Sequence, residues 1–165
     1  GWYAALRDGG TCIVWYDLWK IESLAKHLTD AGFRKLRLVE WLKTNPVPLN
    51  SRSGYLSNAR EIAVVAVKGG KATFHSVYDN GLISGPIHRD GGKRLHPTQK
   101  PLSITGQLIN KHSNPGDLVM DTFVGSGTHL VAAYMSGRRD AGCEVDKNYY
   151  TIAKQRLAAA QKGIL

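Results

Sequence analysis

Asp121, Gly125, Gly127 and Glu144 are the residues of this 165-residue chain whose types and spacing point most directly to chemistry. They fall in the stretches MDTFVGSGTHLVAA (120–133) and AGCEV (141–145). Two glycines between a strand-forming and a helix-forming run let the backbone turn tightly and come close to a ligand. An acid just ahead of them can meet a cationic group on that ligand. Glu144 follows the glycines by about 20 residues, where an acid can accept hydrogen bonds from the ribose hydroxyls of a nucleoside. Asp146, two residues on, is better placed to cap the helix that starts near Lys147.

Three nucleotide loops compete for this turn. A Walker loop requires GxxxxGK followed by Ser or Thr, and no lysine follows Gly127 within the turn. The dinucleotide fingerprint GxGxxG finds its first two glycines here, but Leu130 stands at the third. The remaining reading is the loop strand-D-x-F-x-G-S-G-T-helix of a Rossmann-like methyltransferase. Two glycines alone do not decide among them.

The elements that must carry these residues are legible in the hydrophobic pattern. TCIVWY (11–16) is a β-branched and aromatic run suited to a strand buried on both faces. In LWKIESLAKHLTDAG, residues Leu18, Ile21, Ala25 and Leu28 form one helical stripe and Gly32 a stop. FRKLRLVEWLK (33–43) and REIAVVAVKGG (60–70) read as strands, and NPVPLNSRSGYLSN (45–58) as a long exposed loop. Residues 71–95 are glycine-rich and basic without a helical period, which leaves short strands or an irregular excursion. PLSITGQLINKHS (101–113) is a helix opened by Pro101, DLVMD (117–121) a short buried strand, and 127–137 a helix. RDAGCEVD (139–146) is a further strand and 147–161 a helix. The alternation from residue 101 onward is the doubly wound α/β pattern.

Composition narrows the class. Hydrophobic residues make up 42% and charged residues 21%, ordinary values for a globular domain, and the length suits one domain. No run reaches the roughly 18 apolar residues of a membrane helix, so no membrane partner is expected. Cys12 and Cys143 both lie in apolar runs, read as reduced core thiols of a cytoplasmic protein. The six histidines form no metal-ligand spacing, and no metal is expected. The net charge of +9 resides in the middle of the chain: residues 34–112 hold thirteen Lys/Arg against four acids. A basic centre between near-neutral ends suits a polyanion, although charge alone fits a solvated basic face equally well.

HPTQKPLSITGQLI (96–109), GDLVMDTFVGSGTHLVAA (116–133) and GCEVDKNYYTIAKQRL (142–157) together resemble the cofactor half of the amino-methylating DNA methyltransferases. These enzymes modify adenine N6 or cytosine N4. LRDGGTCIVWYDLW, GFRKLRLVEWLKTNPVP and NAREIAVVAVKG resemble the strands that follow the family's catalytic loop, so the similarity spans nearly the whole chain and is weakest over 70–95. This segment order is that of the family's β group. The resemblance implies an α/β, Rossmann-like S-adenosylmethionine-dependent fold, with a mostly parallel sheet and helices on both faces. Residues 1–165 would form one partial methyltransferase domain: catalytic-side strands over 1–68, a DNA-recognition excursion over 69–95 and the cofactor half over 96–165.

By the same resemblance, His96, Pro97, Thr98 and Lys100 line the methionine end of S-adenosylmethionine, with Thr98 and Lys100 placed for its carboxylate. Asp121, Phe123, Gly125, Ser126, Gly127 and Thr128 form the cofactor loop, and Glu144 takes the ribose. Double-stranded DNA is the expected partner, with Arg52, Lys71, Arg89, Lys93 and Arg94 in loops free to reach phosphates. Arg60 and Glu61 precede a structural strand and receive no catalytic role.

One departure from the family pattern stands out. The Asp/Asn/Ser-Pro-Pro-aromatic tetrapeptide that carries the family's chemistry is absent from the sequence, and Asn45-Pro46-Val47-Pro48 has the wrong order. Its strand would lie between DLVMD and TCIVWY, so an upstream segment or a second chain is expected to complete the sheet. The expected activity is methyl transfer to an exocyclic amino group of DNA, adenine N6 foremost; a homodimer is compatible with it. The rival is a non-catalytic module that binds cofactor and DNA while another chain supplies the tetrapeptide. A dinucleotide oxidoreductase is disfavoured by Leu130 and by the 96–101 segment.

Overall fold

The computed structural model describes residues 1–46, 57–87 and 95–164. The chain divides into two compact units, Gly1–Pro86 and Ile87–Leu165.

The first unit opens with a short helix α1 (Trp2–Ala5) and a Gly9-Gly10 turn into strand β1 (Thr11–Tyr16). A 3-10 turn (Leu18–Lys20), capped by the Asp17 carboxylate accepting from Trp19 N–H, leads into helix α2 (Ile21–Asp30). Strands β2 (Arg34–Lys43), β3 (Arg60–Val67) and β4 (Leu82–Gly85) complete a four-stranded sheet of order β1-β3-β2-β4. β3 runs antiparallel to both neighbours, whereas β4 runs parallel to β2. β1, β2 and β4 therefore point the same way. In this unit the sheet is mixed; the mostly parallel pattern expected from the sequence is confined to the second unit.

Burial follows from the strand order. Ala63–Val67 of β3 are all buried because β3 has a neighbour on each side. β1, expected to be buried on both faces, is half-buried, and among the described residues it pairs with β3 alone. Of the expected stripe, Leu28 joins Phe33, Val64 and Ala66 in a core flanked by Tyr3 and Ile21, with Leu24 beside them; Leu18, in the 3-10 turn before α2, is exposed instead. Trp41 is fully buried and its indole N–H donates to the Gly85 carbonyl at 2.9 Å, which ties β2 to β4. Arg60 pairs with Glu40 at 3.2 Å and Glu61 with the buried Lys43 at 2.9 Å, cross-strand roles that agree with the structural reading of both residues.

The second unit holds helix α3 (Leu102–His112), strand β5 (Leu118–Asp121), helix α4 (Thr128–Met135), strand β6 (Arg139–Gly142) and helix α5 (Lys147–Gln161). β5 and β6 pair in parallel from Leu118 opposite Arg139 to Asp121 opposite Gly142. One cluster, Ile109 with Ala132 and Ala133, joins α3 to α4; another, Val124 with Leu130 and Ala153, joins the loop after β5 to α4 and α5. Among the described residues β5 pairs with β6 alone, as β1 pairs with β3 alone. The fold is thus α/β, and its second unit repeats the strand–helix alternation read from the sequence.

Candidate cofactor site

The carboxyl end of a parallel strand is where an α/β sheet places its ligand chemistry. β5 ends on Asp121, whose Oδ1 accepts from Phe123 N–H at 2.9 Å in an Asx turn. The chain then passes through Gly125 (φ 53°) to Gly127 (φ 84°), the left-handed N-cap of α4. A Cβ on Gly127 would stand 2.9 Å from both Cα and Cβ of Ala153, so glycine is required there by backbone conformation and by space. Gly142, opposite Asp121, is required by space alone: a Cβ would meet Val124 Cγ2 at 2.4 Å and the Asp121 carbonyl at 2.6 Å.

Several groups hold this turn from behind. Val124 N–H donates to the Cys143 carbonyl at 3.2 Å and Cys143 N–H to the Asp121 carbonyl at 3.1 Å. The buried Arg156 of α5 donates from one nitrogen to Ser126 O (2.6 Å), Ser126 Oγ (3.3 Å) and Thr128 Oγ1 (3.2 Å). Ser126 and Thr128 are themselves buried. Their hydroxyls face the interior, leaving the backbone as the part of these two residues able to face a ligand.

Glu144 lies two residues beyond β6, which ends at Gly142 rather than running to Asp146. The strand stops early because Cys143 O and Glu144 turn toward the glycine loop. Glu144 Oε2 accepts from Gly125 N–H at 2.7 Å, and Oε1 from Asp146 N–H at 2.9 Å. These amides, Asp146 first and Gly125 next, hold the Glu144 carboxyl below its ordinary value. Asp146 caps α5 as expected, accepting from Asn148 and Tyr149 N–H. The early end of β6 also leaves Cys143 exposed, which corrects its reading as a core thiol; Cys12 is part-buried and both are free.

The 95–101 segment lies against the same loop. The His96 ring is 3.4 Å from where a Cβ of Gly125 would stand, and meets Tyr149 edge to face at a centroid distance of 4.4 Å. His96 Nδ1 accepts from Thr98 N–H at 3.2 Å, and Lys100 Nζ donates to Thr98 O at 3.1 Å. Pro97 is exposed and Pro101, at the N-cap of α3, is buried. Thus His96, Asp121, Gly125 and Glu144, separated by up to 48 positions, converge around one turn. Phe123 (77% exposed) and Val145 (99% exposed) add two exposed apolar side chains beside the carboxylates.

A family profile described as "DNA methylase" (N6_N4_Mtase) matches residues 1–155. The chain belongs to this DNA methylase family. It is 34% identical over 170 residues to the type II methyltransferase M2.DpnII of Streptococcus pneumoniae, covering 93% of this chain and 62% of that protein. The chain therefore spans about three fifths of that relative's length. Its structure superposes on the crystal structure of the M1.HpyAVI–SAM complex with a TM-score of 0.84 and 33% identity, covering 94% of this chain and 78% of the other. The cytosine-N4-specific PvuII DNA methyltransferase shares the fold, with a TM-score of 0.78 at 18% identity over 92% of this chain and 64% of that one. The Rossmann-like methyltransferase fold implied by the sequence is therefore the fold shared with these solved structures.

Four contributors to the candidate site lie outside the residues singled out from the sequence: His129, Val145, Tyr149 and Arg156. Val145 and His129 adjoin motif residues, so position relative to Glu144 and Thr128 was an available cue. Tyr149 and Arg156 lie on α5 and reach the loop only through folding. Of the residues expected to reach DNA, Lys71 is exposed in the segment after β3. Arg52, Arg89, Lys93 and Arg94 lie outside the described residues. Among the described residues no helix is long and apolar enough to cross a membrane.

Proposed function

We propose that this chain is the S-adenosylmethionine-binding part of a DNA amino-methyltransferase, which moves a methyl group onto an exocyclic amine of double-stranded DNA with adenine N6 as acceptor. The observation that carries this reading is the pair of carboxylates on one glycine turn: Asp121 opens the turn and Glu144 binds its Gly125 amide. A ligand suited to that pair has a cationic amino group at one end and vicinal hydroxyls at the other. S-adenosylmethionine fits both and supplies a sulfonium methyl whose sulfur leaves as a neutral thioether when an amine takes the methyl.

Each residue then has a defined task. Asp121 keeps one lone pair on each oxygen for the ammonium, and Glu144 accepts from the ribose hydroxyls with the lone pairs its amide bonds leave over. Lys100, with Thr98, neutralises the carboxylate at the methionine end. Phe123 and Val145 offer apolar surface to a purine face. Holding the methyl in line with the incoming nitrogen is the main contribution such a site makes to rate.

The acceptor amine needs a hydrogen-bond acceptor and a stacking aromatic, the roles of the Pro-Pro tetrapeptide that these 165 residues lack. An upstream segment or a second chain supplies it in this reading. Aspartate in its first position would support adenine N6; serine would turn the acceptor to cytosine N4. The basic stretch 34–112, including Arg52, Lys71, Arg89, Lys93 and Arg94, holds the phosphates. A cytoplasmic location goes with a DNA substrate.

A second reading is favoured by that missing tetrapeptide: the chain binds cofactor and DNA, and catalysis belongs to a partner. Labelled methyl transfer to DNA, measured with and without candidate upstream segments and followed by nucleoside mass spectrometry, tests both. N6-methyladenine supports the first reading. Transfer that appears only with a separately encoded chain supports the second, and cofactor binding absent under all conditions overturns both. DNA affinity that barely changes between 50 and 200 mM salt would count against the basic surface, since about three phosphate contacts already imply a fall of more than tenfold.

A further inference from the structure

His129, in the first turn of α4, places Nδ1 2.7 Å from Asp121 Oδ2. With a carboxylate as acceptor, Nδ1 is the nitrogen that carries the proton. The Asp121 side chain is 15% exposed and that of His129 33%. The Asx turn to Phe123 engages only Oδ1. A carboxylate held by one oxygen can still turn about its terminal torsion, which is broad and roughly two-fold. The His129 bond engages the second oxygen and fixes the plane of the group.

The turn does not depend on this bond for its shape. Arg156 secures Ser126 and Thr128, Glu144 secures Gly125, and Cys143 secures Val124. What the His129 bond adds is the orientation of the one carboxylate assigned to the cationic amino group. We propose that His129 is a positioning residue for S-adenosylmethionine: it aims the free lone pairs of Asp121 at the ammonium of the ligand's amino-acid end. This inference rests on the cofactor reading given above.

The test compares two ligands that differ at that end. Binding of S-adenosylmethionine and of 5′-methylthioadenosine, which lacks the amino-acid portion, is measured by calorimetry on the full chain and on its His129→Ala and His129→Asn variants. The expected result is an affinity for S-adenosylmethionine about tenfold lower in His129→Ala, the size of a charge-assisted hydrogen bond. Affinity for 5′-methylthioadenosine should stay within about twofold of wild type, and Asn, whose amide N–H can occupy the Nδ1 position, should recover most of the loss.

Equal losses for both ligands overturn the proposal, as does an alanine variant that binds S-adenosylmethionine like wild type or an asparagine variant no better than alanine. If the alanine variant does not fold, His129→Asn is compared with His129→Gln, whose amide reaches the Nε2 position; indistinguishable affinities then overturn the proposal. A wild-type chain that binds neither ligand overturns the cofactor reading itself.

Discussion

Glu144 Oε2 lies 2.7 Å from the Gly125 amide nitrogen, so a carboxylate beyond β6 closes the glycine turn that follows β5. The two strand ends of the second unit are thereby one structure, and the acid assigned to the ribose is also part of the loop. Gln at 144 keeps an oxygen for one amide but loses the charge that both amides favour. Glu144→Gln should weaken S-adenosylmethionine binding roughly tenfold at pH 7 while lowering the unfolding midpoint only modestly, because one of its two amide bonds is kept. The group's folded pKa is depressed, so its contribution is present above its ordinary value of 4.5 and is lost as pH falls through the lower folded value. Calorimetry between pH 5 and pH 8 should therefore show no titration of this group.

Gly127 combines a φ of 84° with direct contact to the Ala153 backbone. Alanine there meets both the left-handed penalty and a clash that α5 must move to relieve. Gly127→Ala should cost about 2–4 kcal/mol and lower the thermal midpoint by roughly 5–15 °C. Gly116 has a similar φ of 81° with nothing within 4 Å of its would-be Cβ. Gly116→Ala should cost only about 1–2 kcal/mol, and scanning calorimetry of the two variants separates conformational strain from crowding.

Arg156 supports the turn from inside the unit, giving one guanidinium nitrogen to three oxygens of Ser126 and Thr128. Methionine preserves much of the stem's packing but leaves those buried acceptors without their donor. Arg156→Met should cost about 2–4 kcal/mol in urea unfolding and reduce cofactor affinity through the loosened loop. Lysine, a point charge without the planar fork, should recover only part of either loss.

The order of elements was readable from periodicity, because α2, α3 and α5 each commit one face to a core and the glycines mark where runs stop. The glycine turn and Glu144 were readable as a candidate ligand site because their residue types and spacing carry local chemistry. What could not be read was set by neighbours. TCIVWY reads as a strand covered on both faces, yet among the described residues β1 is half-buried and pairs with β3 alone, since an apolar run does not reveal how many ladders it joins. RDAGCEVD looks like one strand, but the loop's demand for the Cys143 carbonyl and the Glu144 carboxylate ends it at Gly142. Arg156 and Tyr149 sit in a helix of ordinary surface composition, and only the packing of α5 turns them toward the loop.

The two thiols now have distinct environments. Burial pushes the Cys12 thiol up to about 11, whereas Cys143 is exposed at the turn after β6. The thiolate is the reacting species, so iodoacetamide at pH 8 should alkylate Cys143 well before Cys12. Peptide mass spectrometry over a time course checks the order. Equal rates would mean that β1 opens readily.

Asp121 shows how the His129 contact feeds into stability. Burial on its own raises the Asp121 carboxyl, but the His129 hydrogen bond and charge, together with the Phe123 amide, outweigh it and hold the group below its ordinary value of 3.8. A depressed carboxylate contributes stability above its unfolded pKa and loses it as pH falls through the folded one. Removing the imidazole leaves burial opposed only by the Phe123 amide, so Asp121 should then take up its proton at a higher pH. His129→Ala should lower stability at pH 7 by about 1–2 kcal/mol and bring the onset of acid unfolding to higher pH than in wild type. Urea midpoints measured from pH 7 down to pH 3 decide it: parallel curves for the two proteins would show that the pair does not couple Asp121 to folding.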